Sequence, residues 1–304
     1  MLEKDFNLRY WISRINPRAL FVLGLLTMIF LWSAAPARAQ IGVDLVLQQS
    51  QFEIDELAEQ ETASGWGVYM FVPLGSMAFA ELNHEETSIT FKSADDLIQG
   101  DNGLALNLMM GPSVIYLGGH QIDSTSEYLE GAKTSGAGIK IFDILSLSLG
   151  GSGYQSEYPN YPLSDATGDV GLEVKQTSPE LGITLFGGYL NIDGKRDSIV
   201  LSDSLGYEKT EYVSNQVGVS LYISPLVFYY ASWTGERMFQ ASNKALEVAS
   251  LPYLYQGGNK ASIRLSLGEM VSVSVGLTKY QYQETPEGDP MEMQVKSAAL
   301  VFRF

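Results

Sequence analysis

The chain has 304 residues, with 19 Lys and Arg against 35 Asp and Glu, a net charge of −16 and no cysteine. That balance argues against nucleic acid and against docking on anionic lipid, and without thiols there is no disulfide framework, so the fold must hold by its own packing. Thirty glycines and 17 tyrosines, with almost no long helical periodicity, argue against a helical globular domain.

At the start, Lys4, Arg9, Arg14 and Arg18 form a basic segment ahead of an uncharged apolar run of 14 residues, Ala19 to Trp32. The small-x-small triplet Ala37-Arg38-Ala39 follows. This order predicts a cleaved signal peptide over 1–39 and a single mature domain over 40–304, exported across an inner membrane. The run is too short for a spanning helix, which needs about 20 apolar residues. Removing the five basic and two acidic residues up to Ala39 leaves 14 basic and 33 acidic residues, a net charge of −19.

Beyond Gln40 the dominant signal is period two. A short acidic stretch, Phe52–Gln60, is the one predicted helix. Leu104, Leu106 and Leu108 alternate with Ala105, Asn107 and Met109. Ala137, Ile139 and Ile141 alternate with Gly138 and Lys140, and Leu145, Leu147 and Leu149 with Ser146, Ser148 and Gly150. Val217, Val219 and Leu221, then Ile263, Leu265 and Leu267, then Val271, Val273, Val275 and Leu277 repeat the pattern. Each segment has one greasy face and one small or polar face. A soluble sandwich would carry many Lys and Glu on its polar face. Ser, Gly, Thr, Ala and Asn instead suit a confined, wet lumen, with the Leu/Val/Ile face toward lipid.

Tight connections are predicted at Pro73–Ser76, Gly111–Ser113, Phe142–Ile144, Ser178–Glu180, Ser224–Pro225 and Gly268–Met270, where turn-forming residues gather. Long polar connections are predicted at Thr87–Asp101, Ser124–Lys133, Ser156–Thr167, Asp193–Tyr207, Met238–Tyr255 and Glu284–Met291. Short turns at one rim and long loops at the other, with 14 strand segments, predict an all-β fold: a transmembrane antiparallel up-and-down β-barrel. Twelve strands is the alternative, should Ile41–Gln49 pair elsewhere. Closure is obligatory, because an open edge in hydrocarbon leaves unpaired backbone groups that cost several kcal/mol each.

The last segment places Ala298, Leu300, Phe302 and Phe304 on one face and Ser297, Ala299, Val301 and Arg303 on the other. A final amphipathic strand ending in an aromatic resembles the C-terminal signature of Gram-negative outer-membrane β-barrel proteins of porin-like kind. The resemblance covers the last strand closely and the mature chain in its strand–turn–strand pattern. It implies an outer-membrane location, and Phe302 and Phe304 as the signal read by the barrel assembly machinery. Lys296 departs by sitting in the apolar register; the reading places it near the extracellular rim, reaching lipopolysaccharide phosphates. Tyr and Trp near strand ends (Trp66, Tyr69, Tyr154, Tyr189, Tyr212, Tyr229, Tyr230, Trp233, Tyr280 and Tyr282) predict interfacial girdles.

Signals for chemistry are few. No Gly-x-Ser-x-Gly, His-Glu-x-x-His or Gly-rich phosphate loop occurs. The histidines are His84 and His120. His84-Glu85-Glu86 with Asp95-Asp96, and His120 with Ser124 and Ser126, are the clusters from which a barrel hydrolase would be built; a solvated loop edge is the blander reading. The expectation is no enzyme, no cofactor and no dedicated metal site. The acidic sets Glu284, Glu287, Asp289 and Glu292, and Glu53, Asp55, Glu56, Glu59 and Glu61, match no calcium loop, which leaves divalent cations only as rim ligands.

Strand parity points Lys140, Glu173, Lys175, Lys260 and Arg264 into the lumen, with Asp44 and Glu81 beside them. Neither sign dominates, so strong ion selectivity is not expected. About 8 strands are filled by side chains and 16–18 leave an aqueous channel; 14 falls between. The leading expectation is a monomeric passive channel for small solutes, with periplasmic turns and extracellular loops. The alternatives are a closed structural or surface-binding barrel and, behind that, a barrel-embedded hydrolase. Small Ser and Gly inside favour a hole, whereas loops of this length are able to fold in and block it.

Overall fold

The computed structural model describes residues 42–54, 61–90, 96–142, 146–164, 168–241, 253–283 and 288–304. The segment read as a signal peptide lies outside them. Fourteen strands run in chain order: β1 Gly42–Ile54, β2 Glu61–Pro73, β3 Ala78–Thr90, β4 Leu97–Met110, β5 Ser113–Ser124, β6 Lys133–Phe142, β7 Leu147–Pro162, β8 Val170–Leu185, β9 Leu190–Leu201, β10 Glu211–Ile223, β11 Leu226–Arg237, β12 Leu254–Ser266, β13 Val271–Gln283 and β14 Met291–Arg303. Each pairs antiparallel with its sequence neighbours, and β1 closes on β14 from Asp44 opposite Arg303 to Ile54 opposite Met293. Because β1 pairs on both sides, the count is 14, not 12.

Closure has a side-chain component as well. The Arg303 guanidinium donates from Nε and Nη2 to the two carboxylate oxygens of Asp44, both at 2.9 Å. This bidentate pair bolts the first strand to the last at the turn end, in a fork geometry that fixes register.

Two local expectations change. Phe52 to Ile54 continue β1 rather than starting a helix; Asp55–Gln60 lie outside the described residues. The turn predicted at Ser178–Glu180 is the middle of β8. Pro179 suggested a turn because it lacks an N–H. The barrel accommodates it: the β7 ladder runs unbroken through Gly151 opposite Pro179, while the β9 ladder skips from Thr177–Ser198 to Glu180–Lys195. Ser178 bridges that gap with its hydroxyl, donating to Asp197 Oδ1 at 2.6 Å. The true turn is Phe186–Tyr189, one turn of 3₁₀ helix in which Gly187 and Gly188 take φ of 66° and 101°, values that cost glycine little.

Strands also run further toward the loop end than expected. β3 reaches Thr90, β7 Pro162 and β9 Leu201, residues assigned from sequence to loops. The outer face there is polar, so the simple greasy/polar alternation that marks a strand fades.

The outward face near the turn end is an apolar belt. Leu104, Leu117, Leu149 and Val217 stand 55 to 63% exposed, with Leu106, Leu108, Ile139, Ile141, Leu181, Leu221, Ile263 and Val275 around them. In water each such side chain would forfeit about 1.5–3 kcal/mol of burial, and contiguous apolar patches of this extent are not left wet. Lipid is the solvent that fits, and the fold is a transmembrane barrel.

Candidate functional site, the barrel lumen

Along β8, β9, β13 and β14 the apolar parity reverses halfway up. In β8, Leu181 and Leu185 point out, but Leu172 and Val174 are buried inside. In β9, Ile199 and Leu201 point in; in β14, Met293 and Val295 do; in β13, Tyr282 does. The lumen therefore has two zones.

The loop-end zone is packed. Leu129, Ala132, Tyr158, Leu172, Val174, Ile199, Leu201, Tyr212, Met238, Phe239 and Leu254 form one cluster. Ile89, Tyr282, Met293 and Val295 form another, with Leu97, Tyr253 and Tyr255 against it. The first includes Met238 and Phe239, from the segment after β11, which folds against the inner wall. Phe239 sits 5.0 and 5.1 Å, centroid to centroid, from Tyr158 and Tyr161. Polar bonds latch this segment: the Ala241 N–H donates to Gln176 Oε1 at 2.8 Å, and Gln240 Nε2 donates to Asp197 Oδ2 at 2.7 Å. Asp197 also accepts from Ser178 and pairs with Lys195 at 3.0 Å. A buried carboxylate is stable only when so satisfied.

Toward the turn end the inner face thins to Ser148, Gly150, Ser152, Gly182, Gly218, Ser220, Ser262, Ser274 and Gly276, half-buried or better. Not all of this emptiness is hole. The Tyr116 ring lies over Gly138, where a Cβ would come within 2.2 Å of it, and Tyr154 lies over Gly136, at 2.4 Å. Their hydroxyls meet at 2.7 Å. Trp233 covers Gly258 likewise.

This inward packing corrects the girdle. Tyr69, Tyr154, Tyr212, Trp233, Tyr280 and Tyr282 share the inner parity, and Tyr212 and Tyr282 are fully buried. Trp66 and Tyr230 share the outer one, and Tyr189 lies exposed in the turn between β8 and β9. Aromatic residues read from sequence as lipid-interface anchors mostly fill the lumen, since strand propensity alone cannot tell which side a ring faces.

Of the residues assigned to the lumen, the structure places Lys140, Lys260 and Arg264 on the inner face with the Gly and Ser rows. Glu173 and Lys175 lie on the opposite, exposed face, alternating with buried Leu172, Val174 and Gln176. That correction follows from the parity reversal. The assignment took Leu172 and Val174 as lipid-facing, but in the loop-end half the greasy face turns inward. Lys296 sits mid-strand on the exposed face of β14, where the outer wall turns from apolar to polar. Phe302 and Phe304 lie at the turn end of β14, and the Phe304 N–H donates to Val43 O at 2.9 Å.

The two histidines face opposite ways. His84 is on the outer wall, its ring centroid 5.0 Å from that of Trp66 and its Nδ1 2.7 Å from Asn102 Oδ1. His120 is inside, its Nδ1 2.7 Å from Asp101 Oδ2. Asp101 stands opposite Glu85 across β3 and β4, and the Tyr69 hydroxyl donates to Glu85. The sequence cluster His84-Glu85-Glu86 is thus split by strand alternation, with Asp95 outside the described residues. Ser124 and Ser126 bond to one another rather than to His120. Among the described residues no group of three His, Asp or Glu is placed to hold a metal ion. Of the acidic sets, Glu292 engages Lys279 at 3.3 Å, and Glu284, Glu287, Asp55, Glu56 and Glu59 lie outside the described residues.

No protein-family model matches the chain, and no curated protein sequence does. Solved structures do resemble it. A loop-deletion mutant of OmpT, an outer membrane protein of Vibrio cholerae, aligns over 88% of this chain and 100% of its own at 7% identity, with a TM-score of 0.50. Pseudomonas putida OprB covers 88% of this chain and 94% of its own at 8% identity, TM-score 0.48. A triple mutant of the Rhodopseudomonas blastica porin covers 87% and 100% at 7% identity, TM-score 0.43. At such identities likeness speaks for the fold alone, and the first of these bears on it: the chain has the closed, antiparallel up-and-down barrel of porin-like outer-membrane proteins.

Proposed function

We propose that the protein is a monomeric outer-membrane channel for small solutes, with its turns at the periplasmic rim and its loops outside. One observation carries this reading. Glu81, Lys140, Asp193 and Arg264 stand on the inner wall of the turn-end half, and none of them joins an ion pair among the described residues. An unpaired charge removed from water costs several kcal/mol in proteins, so four in one lumen call for water around them. The loop-end half is narrowed by the segment through Met238 and Phe239, and its polar latch to Gln176 and Asp197 sets how freely solute passes. On this reading, cations on the outer wall above the apolar belt, Lys133, Lys175 and Lys296, meet phosphates of surface lipopolysaccharide.

A second reading, a closed barrel with a structural or surface-binding role, draws on the packed loop-end clusters. Single-channel recording of the refolded protein in a planar bilayer separates the two. The channel reading expects discrete conductance steps, and a severalfold longer open time in Asp197→Ala, which removes the acceptor for Gln240 and Ser178. A folded, protease-resistant barrel that stays silent in both forms supports the closed reading.

A further inference from the structure

Four lumen charges outside the ion pairs are regularly spaced. Glu81 lies three residues into β3, Lys140 two before the end of β6, Asp193 three into β9 and Arg264 two before the end of β12. Each is close to the turn end, and they recur on every third strand of the 14. Taken alone, these four read minus, plus, minus, plus; on the same wall Glu180 of β8, opposite Lys195, adds a second acid beside Asp193, and the Asp44–Arg303 pair stands between Arg264 and Glu81. Of the four, the acids face each other across the lumen, the cations do likewise, and Lys140 and Asp193 each have an opposite charge three strands away on both sides.

None of the four has a charged cross-strand partner. Asp193 stands between Gly182 and Gly218, Lys140 between Val114 and Gly150, Glu81 between Phe71 and Ala105, and Arg264 between Val227 and Ser274. The Asp193 carboxylate occupies the space over Gly218, where a Cβ would come within 2.6 Å of it. This differs from Asp44 and Arg303, which stand opposite one another and pair. Three strand spacings put neighbouring charges about 14 Å apart along the wall, too far to close a salt bridge and near enough for Lys140 to act on Asp193 electrostatically.

From this order we infer that the turn-end ring is a subsite for small zwitterionic solutes, molecules with one ammonium and one carboxylate several ångströms apart. The inference rests on the channel reading and names its solute class. A singly charged ion meets a repulsive post beside each attractive one. A solute with both charges bridges any adjacent acid and base, with its ammonium toward Glu81 or Asp193 and its carboxylate toward Lys140 or Arg264. Three such edges exist, Glu81 to Lys140, Lys140 to Asp193 and Asp193 to Arg264, and between them they take the solute in either orientation.

The test is current blockade in single-channel recordings of the refolded protein. The probes are 6-aminohexanoate and its singly charged analogues, hexanoate and hexylammonium. The wild type is expected to be blocked by the zwitterion at severalfold lower concentration than by either analogue. Lys140→Gln with Arg264→Gln shifts the preference to hexylammonium; Glu81→Gln with Asp193→Gln shifts it to hexanoate. Equal or stronger blockade of the wild type by a singly charged analogue, or identical behaviour of the two neutralised variants, overturns the inference while leaving the channel intact. A barrel that conducts nothing overturns both.

Discussion

The two halves of the lumen obey opposite packing rules on the same strands. At the turn end the outside is greasy and the inside is Gly, Ser and unpaired charge; at the loop end the outside is polar and the inside is a packed core. β8 shows the change within 16 residues: Leu181 and Ile183 below, on the outer face, and Leu172 and Val174 above, on the inner face. The cause is the solvent on each side. Where lipid bathes the wall, apolar groups face it and water fills the lumen. Where the wall rises into water, the apolar groups turn inward and gather the loops over them, as in a soluble barrel. On the proposed channel reading, the lipid-facing half holds the polar lumen and the packed loop-end half narrows it.

The sharpest way to break this comparison is a charge on the outer face of one strand. Leu181→Arg is expected to cost about 2–4 kcal/mol, as arginine does near a bilayer midplane. Lys175→Leu, three alternations higher on that face, should stay within about 0.5 kcal/mol, as surface substitutions do. Urea unfolding of the lipid-reconstituted barrel reads both, and equal costs would mean that the wall is uniformly immersed.

A smaller effect probes the boundary between the halves. Gly138→Val drives a side chain into the Tyr116 ring and should cost about 1–3 kcal/mol by overpacking. It should also part Tyr116 from Tyr154, visible as a change in tyrosine near-ultraviolet circular dichroism. Unchanged spectra and stability would show that the rings do not rest on the glycines.

The smallest effect is at the loop rim. Asp203 accepts bonds from the Ser164 hydroxyl and from the backbone N–H groups of Ser164 and Leu205. Partial burial works against its ionisation, but these bonds outweigh it and hold its carboxyl below the usual value. A carboxylate with a lowered folded pKa stabilises fully above its unfolded pKa, and loses that contribution as pH falls through the folded value. Proteolysis of the loop between β9 and β10 should therefore accelerate below about pH 4, near the ordinary Asp value. In Asp203→Asn it should be faster at neutral pH and lose that pH dependence; an unchanged acid profile in the variant would remove Asp203 as the cause.

Much of this was legible in order along the chain. Fourteen segments, their turn-to-loop asymmetry and the greasy faces through Leu104 to Leu108 and Val271 to Leu277 follow from period two and turn residues, which are local properties. Lys140, Lys260 and Arg264 share the parity of the Gly and Ser rows in the stretch of strand that carries the apolar belt, where the simple rule applies. Glu173 and Lys175 were misplaced because alternation states that two faces differ, not which solvent each meets, and the answer changes within β8. Lys296 carried the same signal: a cation in an apolar register marks the height at which the outer wall leaves lipid.

By itself, then, the sequence determined a closed barrel of alternating strands, because dihedral preference and one-face hydrophobicity are written residue by residue. Only the tertiary structure decided what fills that barrel. The seating of Phe239 against Tyr158, the latch of Ala241 on Gln176 and the ring made by Glu81, Lys140, Asp193 and Arg264 join residues tens to more than a hundred positions apart. Their proximity depends on closure and register, which arise from pairing every strand with its neighbours at once and have no counterpart in any local stretch of chain.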